Sequence, residues 1–281
     1  MYYALITLCA MMFSTQFFFN QMFQKNYGSD FSASLVSTAG GSLIGIIALS
    51  IMNGFSVGCT QFALIMALLL TLNNITFSLC SLKALGKINL SLYSVFSMLG
   101  GMALPFFSGI LIFGEDLTIQ KSICFVFIML ALFLTIKKGT NKKLNLYYIG
   151  VFILNGLSGV LLKIYQAMDF EKVSSSEFSI LCAIVSLVVA VLILCFLPGE
   201  KRKLNKKAVY AIVGGGILNR FANYFLLIAL VFLPASAQYP FITGGTIIFS
   251  TVISYITKQK PSKKEFLAVV VSCIGILVLV L

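Results

Sequence analysis

The sequence lacks histidine and tryptophan, and charged residues make up only 10% of its 281 positions. Without histidine, imidazole-bound zinc sites and histidine general-base catalysis are excluded. Without tryptophan, the chain lacks the best aromatic partner for an organic cation. Because a soluble globular domain is about 25% charged, the low charge content also excludes an ordinary soluble domain.

The seven cysteines are scattered, nearly all of them within apolar runs, and no CxxC pair exists. They are interpreted as small buried hydrophobic residues, not as a disulfide framework or a metal site. The sequence also has no HExxH motif and no pair of acidic residues inside an apolar run. We therefore expect no enzyme, no catalytic residues, no metal and no cofactor.

Long apolar runs dominate the chain, which is 59% hydrophobic with a mean hydropathy of +1.03. A membrane-spanning helix needs roughly 20 apolar residues. Ten runs of about this length occur, at 2–24, 31–52, 60–82, 88–113, 119–137, 145–168, 176–197, 206–232, 234–257 and 263–281. The sequence thus predicts an all-α polytopic membrane protein with ten transmembrane helices and the lipid bilayer as partner.

Lysine and arginine are concentrated on one side of this predicted bundle. The loops after segments 1, 3, 5, 7 and 9 hold 16 of the 20 cations, and the loops on the other side hold only Lys121 and Lys172. The positive-inside rule places the lysine-rich side in the cytoplasm and both termini outside. The net charge of +12 is therefore interpreted as a topology signal, and no nucleic-acid partner is expected.

The two halves of the chain align without a gap when the sequence is shifted by 145 residues. Asn74 then falls on Asn219, Ser91 on Ser236 and Gly100 on Gly245. Five helices per half make the repeats inverted, which is a feature of secondary transporters with a substrate site near the membrane midplane. We expect one repeat at 1–144 and a second at 145–281.

The motifs in these repeats resemble those of the drug/metabolite transporter superfamily, in its ten-helix form with two EamA-like repeats. Gly114-Glu115-Asp116-Leu117-Thr118 is similar to the G-E-x-L-T motif of the family. Other matching residues are Ala84-Leu85, Ser91, Ser94, Ser97, Gly100-Gly101 and Pro105, with Ala229-Leu230, Ala235-Ser236-Ala237 and Gly244-Gly245 in the second repeat. In the second repeat, Gln259-Lys260-Pro261-Ser262 replaces the acidic motif. The resemblance implies a central cavity lined by helices 1, 3, 4, 6, 8 and 9. It also implies cytoplasmic termini, the reverse of the charge bias.

Polar side chains inside the apolar runs sort by helix in a pattern that fits such a cavity. Helices 5 and 10 carry almost none and are expected to face lipid, whereas helices 1, 3, 4, 6, 8 and 9 carry polar stripes. Helix-helix packing is the alternative explanation for any single polar residue. The candidate substrate-binding residues are Gln16, Asn20, Asn74, Asn155, Lys163, Asn219, Arg220, Asn223, Gln238 and Tyr239.

Arg220 is the most unusual residue, because it lies 13 residues after Lys207 and 14 before Pro234. At 1.5 Å per residue it is about 20 Å from either helix end, and a central charge costs at least about 2.5–3.5 kcal/mol. All eight acidic residues fall in loops or at helix ends, so no buried carboxylate is expected. Arg220 then faces amides, carbonyls, water or substrate, and its fork fits a carboxylate or phosphate. Lys163 either joins this site or snorkels toward the far side.

These features predict a secondary transporter for a small polar metabolite with an anionic or zwitterionic group, acting by alternating access. Amino acids, organic acids and phosphorylated compounds qualify. Small multidrug relatives carry a glutamate in the first helix, where this chain has Gln16 and Asn20, so no proton carrier is expected. The alternatives are transport of organic cations or drugs through an aromatic cavity, and a lipid-linked intermediate flippase. The composition suggests a bacterial inner-membrane location; monomer and homodimer both remain open.

Overall fold

The computed structural model describes residues 2–85, 90–134, 146–197, 203–257 and 262–281, and these ranges contain ten helices and no strand. The helices are α1 (Tyr2–Asn26), α2 (Phe31–Met52), α3 (Gln61–Leu85), α4 (Leu90–Leu111), α5 (Ile119–Leu134), α6 (Leu146–Ala167), α7 (Ser175–Phe196), α8 (Lys206–Phe232), α9 (Ala235–Ile256) and α10 (Lys263–Val280). Several predicted features lie outside the described residues: the 144/145 repeat boundary, nine of the loop cations and residues 259–261 of the replaced motif.

Local side chains explain where several helices begin. Ser174 and Glu177 form a reciprocal capping box at the start of α7, and Ser262 and Glu265 form another at the start of α10. These pairs satisfy backbone N–H groups that have no partner within the helix. Asn205 caps α8 by accepting a hydrogen bond from the Ala208 N–H.

The helices have the length and polarity of a multi-pass membrane protein. Seven of them are long and apolar enough to cross a membrane: α1, α2, α3, α6, α7, α8 and α9. The apolar parts described for α4 and α5 are shorter, at Val95–Leu111 and Ile119–Leu134. The predicted all-helical polytopic class is thereby confirmed.

The helix bounds repeat with the offset found in the sequence. Adding 145 to the bounds of α4 gives those of α9, and the other four pairs agree within a few residues. The packing repeats as well, because α1 packs on α8 and α9 while α6, its counterpart, packs on α3 and α4. The two halves are therefore interlocked rather than side by side. The division of the chain at 144/145 stays a prediction.

Glycine allows the closest helix crossings within this bundle. A Cβ on Gly100 of α4 would lie 2.1 Å from the backbone oxygen of Phe152 in α6, and one on Gly156 would lie 2.4 Å from the Gly100 oxygen. Small residues at such crossings let membrane helices approach closely. On the outside, α5 and α10 pack together and leave apolar side chains such as Val126 and Leu267 exposed, as expected for lipid-facing helices.

Candidate substrate site

A buried ion pair marks the end of the bundle where α4, α6 and α8 end and α9 begins, here called the Glu115 end. The Lys163 ammonium of α6 lies 2.7 Å from Oε1 of Glu115 in the α4–α5 loop, and their side chains are only 13% and 8% exposed. Lys163 also lies 5.7 Å from the centre of the Phe113 ring. Lys163 therefore does not snorkel away from the protein.

The same carboxylate caps the N-terminus of α9. Glu115 accepts hydrogen bonds of 2.8 Å from the backbone N–H groups of Ala235 and Ser236. These N–H groups have no intrahelical partner and carry partial positive charge, which favours an anion there. Burial on its own raises the pKa of the Glu115 carboxyl, but the hydrogen bonds from Lys163 and from α9 outweigh burial and lower it overall.

The expectation that the chain has no buried carboxylate was therefore wrong. Glu115 does follow a helix end in sequence, but the loop turns back: Gly114 adopts a φ of +64° and the Glu115 N–H donates to the Gly109 oxygen. Sequence position identified Glu115 as a loop residue and could not show that the loop lies against α6 and α9. The available signal was the G-E-x-L-T motif together with a lysine near the same end of helix 6.

Arg220 of α8 points toward α2. Its guanidinium donates to the hydroxyl of Ser42, and its stem fills the space beside Gly45, where an added Cβ would lie 2.3 Å from the arginine Cγ. Among the described residues, no carboxylate lies within ion-pair distance of Arg220. Neutral partners thus hold this cation at the α2–α8 crossing.

The two asparagines predicted beside Arg220 share the flank of α8. Asn223 donates 2.8 Å to the Asn219 backbone oxygen, one turn earlier. At 100° per residue, both asparagines lie between the face of α8 that packs on α2 and the face that packs on α1. Ala222 marks the α1 face, because its carbonyl accepts a hydrogen bond from Cys9 of α1. On α1, Asn20 lies near Gly215 of α8, and Gln16 is half-buried one turn earlier.

The predicted asparagines of α3 and α6 bridge neighbouring helices. Asn155 donates 2.6 Å to the Ser97 oxygen of α4, and the Asn74 amide oxygen accepts from the Ser158 hydroxyl of α6. Asn73 was not predicted as a site residue, but it is buried and donates to both the Leu154 oxygen and the Ser158 hydroxyl oxygen. Asn73 is adjacent to Asn74 in the sequence, but only Asn74 falls on another asparagine, Asn219, at the 145-residue offset.

The polar residues of α9 also make interhelical bonds. Gln238 is fully buried and donates 2.9 Å to the Leu226 oxygen of α8, while Tyr239 donates 3.1 Å to the Gly159 oxygen of α6. Gln166 of α6, which was not among the candidates, donates to the Leu227 oxygen. Two glutamines from different helices therefore bind consecutive carbonyls of α8.

The predicted residues do not all converge. Lys163 and Tyr239 lie together near Glu115, because α6 and α9 meet there. Arg220 lies at the α2–α8 crossing, and within the described ranges no hydrogen bond or ion pair joins it to Lys163. The substrate role of each candidate stays a prediction.

Residues 142–281 match the EamA-like transporter family. The chain belongs to this family, within the drug/metabolite transporter superfamily. It is accordingly a membrane transporter protein with many apolar helices. The matched range contains the predicted second repeat, 145–281, and the first half retains the G-E-x-L-T-like motif that carries Glu115.

A protein of known crystal structure shares the fold of this EamA-like chain. The likeness covers 99% of this chain and 95% of the other, with a TM-score of 0.78 and 14% sequence identity. At this identity, the likeness shows the fold alone. No curated protein matches the sequence.

Proposed function

We propose that this EamA-like protein is a secondary transporter that moves a small polar metabolite with an anionic or zwitterionic group by alternating access. The observation that carries the proposal is the cation Arg220, which has only a hydroxyl partner within the described bundle. An intramembrane charge is costly, and it usually marks a substrate or ion pathway. A guanidinium held this way keeps donors for a carboxylate or phosphate.

The charge balance inside the bundle favours the same substrate class. Among the described residues, Lys163 has a carboxylate partner and Arg220 has none, so these two cations and Glu115 together carry a net positive charge. An anionic or zwitterionic metabolite, such as an amino acid, organic acid or phosphorylated compound, would offset it. An organic cation would add to it and would depend on aromatic faces without tryptophan.

The interlocked repeats support the alternating-access part of the proposal. The helices α1 and α6 each pack mainly on helices of the other half. A rocking motion of one half against the other would therefore open one end of the bundle while it closes the other. Amide side chains that bridge the helices, such as Asn74, Asn155 and Gln238, are proposed to exchange partners with substrate. We place the protein in the inner membrane of a bacterium, as a transporter without enzymatic activity.

The test is a thermal-shift and proteoliposome-uptake screen of the purified full chain. The ligands are amino acids, organic acids, sugar phosphates and quaternary amines, tested on the wild type, Arg220→Gln, Arg220→Lys and Ser42→Ala. Ser42→Ala is the matched control, because it removes the hydrogen-bond partner of Arg220 and keeps the charge. We expect an anionic or zwitterionic ligand to stabilise the wild type and Ser42→Ala, and to fail with Arg220→Gln.

Three results would contradict the proposal. Equal loss of ligand response in Ser42→Ala and Arg220→Gln would make Arg220 a packing residue whose bond to α2 supports the fold. Stabilisation by a quaternary amine that survives in Arg220→Gln would favour a cation transporter. Activity only on a lipid-linked substrate in bilayers would favour the flippase.

A further inference from the structure

We infer that Glu115 and Lys163 form a one-sided ionic latch, which closes the Glu115 end of the transport pathway and must open in each transport cycle. The inference rests on the proposed alternating-access function. Three elements meet in the latch: the α4–α5 loop supplies the carboxylate, α6 supplies the ammonium, and α9 supplies two backbone N–H groups.

The latch joins the two halves of the chain. Glu115 belongs to the first half, whereas Lys163, Ala235 and Ser236 belong to the second. A motion that separates the α4–α5 loop from α6 and α9 therefore breaks an ion pair and uncaps a helix at once. After such a motion, the Glu115 carboxylate has lost Lys163 and the two backbone N–H groups of α9 as partners.

Burial makes these contacts strong enough to hold a closed end. The two side chains are 8% and 13% exposed, and separating a buried charged pair without new partners is strongly unfavourable. The packing around the pair is also tight. A Cβ on Gly109 would lie 2.5 Å from a Glu115 carboxylate oxygen, and one on Gly159 would lie 2.5 Å from Pro105. The end therefore opens only when water or another donor reaches the carboxylate.

The sequence repeat places no equivalent of this pair at the opposite end. The 145-residue offset places Lys260 at the position of Glu115 and Phe18 at the position of Lys163. A lysine and a phenylalanine cannot form an ion pair, so the repeat symmetry is broken at the two residues that form the latch. The Glu115–Lys163 pair therefore favours, without substrate, the state in which the Glu115 end is closed.

Double electron-electron resonance in proteoliposomes tests the latch without any substrate. Spin labels are placed by Leu117→Cys in the α4–α5 loop and Val231→Cys at the end of α8, both 57% exposed. The exposed native cysteines Cys59 and Cys195 are replaced by serine. The distance between the two labels is measured in this background and in four variants of it. These are Glu115→Gln, Lys163→Gln, the double variant Glu115→Gln/Lys163→Gln, and Asp116→Asn.

We expect one short-distance population in the background. Glu115→Gln and Lys163→Gln should each raise the ratio of long to short distances about tenfold or more, because the lost pair is buried. The double variant should match Glu115→Gln, since residues of one pair are not additive. Asp116→Asn is the matched control: it removes the same charge from the exposed neighbouring residue, which makes no ion pair within the described chain.

Unchanged distances in both single variants would overturn the latch, and so would an equal shift in Asp116→Asn. If Glu115→Gln fails to fold, Lys163→Gln alone decides, because glutamine keeps most of the lysine stem. A failure of the proposed function can be distinguished from a failure of the latch. A folded protein that transports none of the ligands tested would still show these distance changes if the latch exists.

Discussion

The guanidinium of Arg220 on α8 donates to the hydroxyl of Ser42 on α2, and the arginine stem occupies the space left by Gly45 one turn further along α2. Ser42 and Gly45, three positions apart on α2, thus make room for a long charged side chain between two membrane helices. The relationship explains how the bundle accepts an arginine about 20 Å from either end of α8.

Gly45→Ala should therefore act through Arg220. The new Cβ would lie 2.3 Å from the arginine Cγ, and overpacking of this kind costs about 1–3 kcal/mol. We expect a lower melting temperature of the detergent-purified protein. The double variant Gly45→Ala/Arg220→Ala should recover part of the loss, because the clash is gone. A double variant that only adds the two single losses would contradict the contact.

Gly100→Ala should be more damaging, because its neighbour is backbone. The new Cβ would lie 2.1 Å from the Phe152 oxygen, so α4 and α6 would have to separate. We expect at least about 3 kcal/mol of destabilisation or no folded protein. Gly215→Ala is the milder comparison, because its new Cβ would lie 3.3 Å from the Phe19 Cβ, which needs a shift of only a few tenths of an ångström, and alanine favours helix. Similar melting temperatures for the two variants would contradict the close α4–α6 crossing.

Gln238→Leu tests whether the buried amide of α9 contacts substrate. The change removes one hydrogen bond to the Leu226 oxygen, and such bonds between membrane helices average about 0.6 kcal/mol. We expect a small change in melting temperature and a large fall in substrate uptake. Gln166→Leu removes the equivalent bond to the Leu227 oxygen and should leave uptake nearly unchanged. Equal substrate uptake in both variants would show that Gln238 does not contact substrate.

The latch should open in acid. Lys163 of α6 and the Tyr239 ring of α9 face the Glu115 carboxyl, whose pKa is held below its usual value of 4.5 when paired, because hydrogen bonds outweigh burial. The paired state therefore binds fewer protons than the open state. Its advantage is complete above pH 4.5 and is lost as the pH falls through the lowered pKa.

Spin labels at Leu117→Cys and Val231→Cys report the opening. The long-distance population should rise only when the pH falls below 4.5. Glu115→Gln should show no pH dependence there. A transition at neutral pH in the wild type would mean that burial, not pairing, controls this carboxyl.

Membrane topology can be measured with a native cysteine. Cys59 is exposed in the α2–α3 connection, on the side with few lysines. If the positive-inside rule holds, a membrane-impermeant maleimide should label Cys59 in intact cells. In a Cys59→Ser/Cys195→Ser background, Leu204→Cys on the lysine-rich side should react only after the cells are permeabilised. The reverse pattern would place both termini in the cytoplasm, as the family resemblance implies.

Helix positions were predictable because the bilayer fixes the length of apolar runs. The predicted segments 31–52 and 206–232 coincide with α2 and α8. Residues that align at a shift of 145, such as Asn74 and Asn219, predicted the repeat offset, which the bounds of α4 and α9 reproduce. These features depend on residues that are near each other in sequence and on one external dimension, the membrane thickness.

The sequence by itself therefore determined the ten-helix class, the repeat offset and the presence of a costly charge at Arg220. Only the tertiary structure decided what each charge faces. Lys163 and Glu115 are 48 positions apart, and their contact depends on how one loop turns at Gly114 and on where α6 and α9 meet. Periodicity places a side chain on a helix face, but it does not say which helix lies opposite, because packing between distant segments makes that choice.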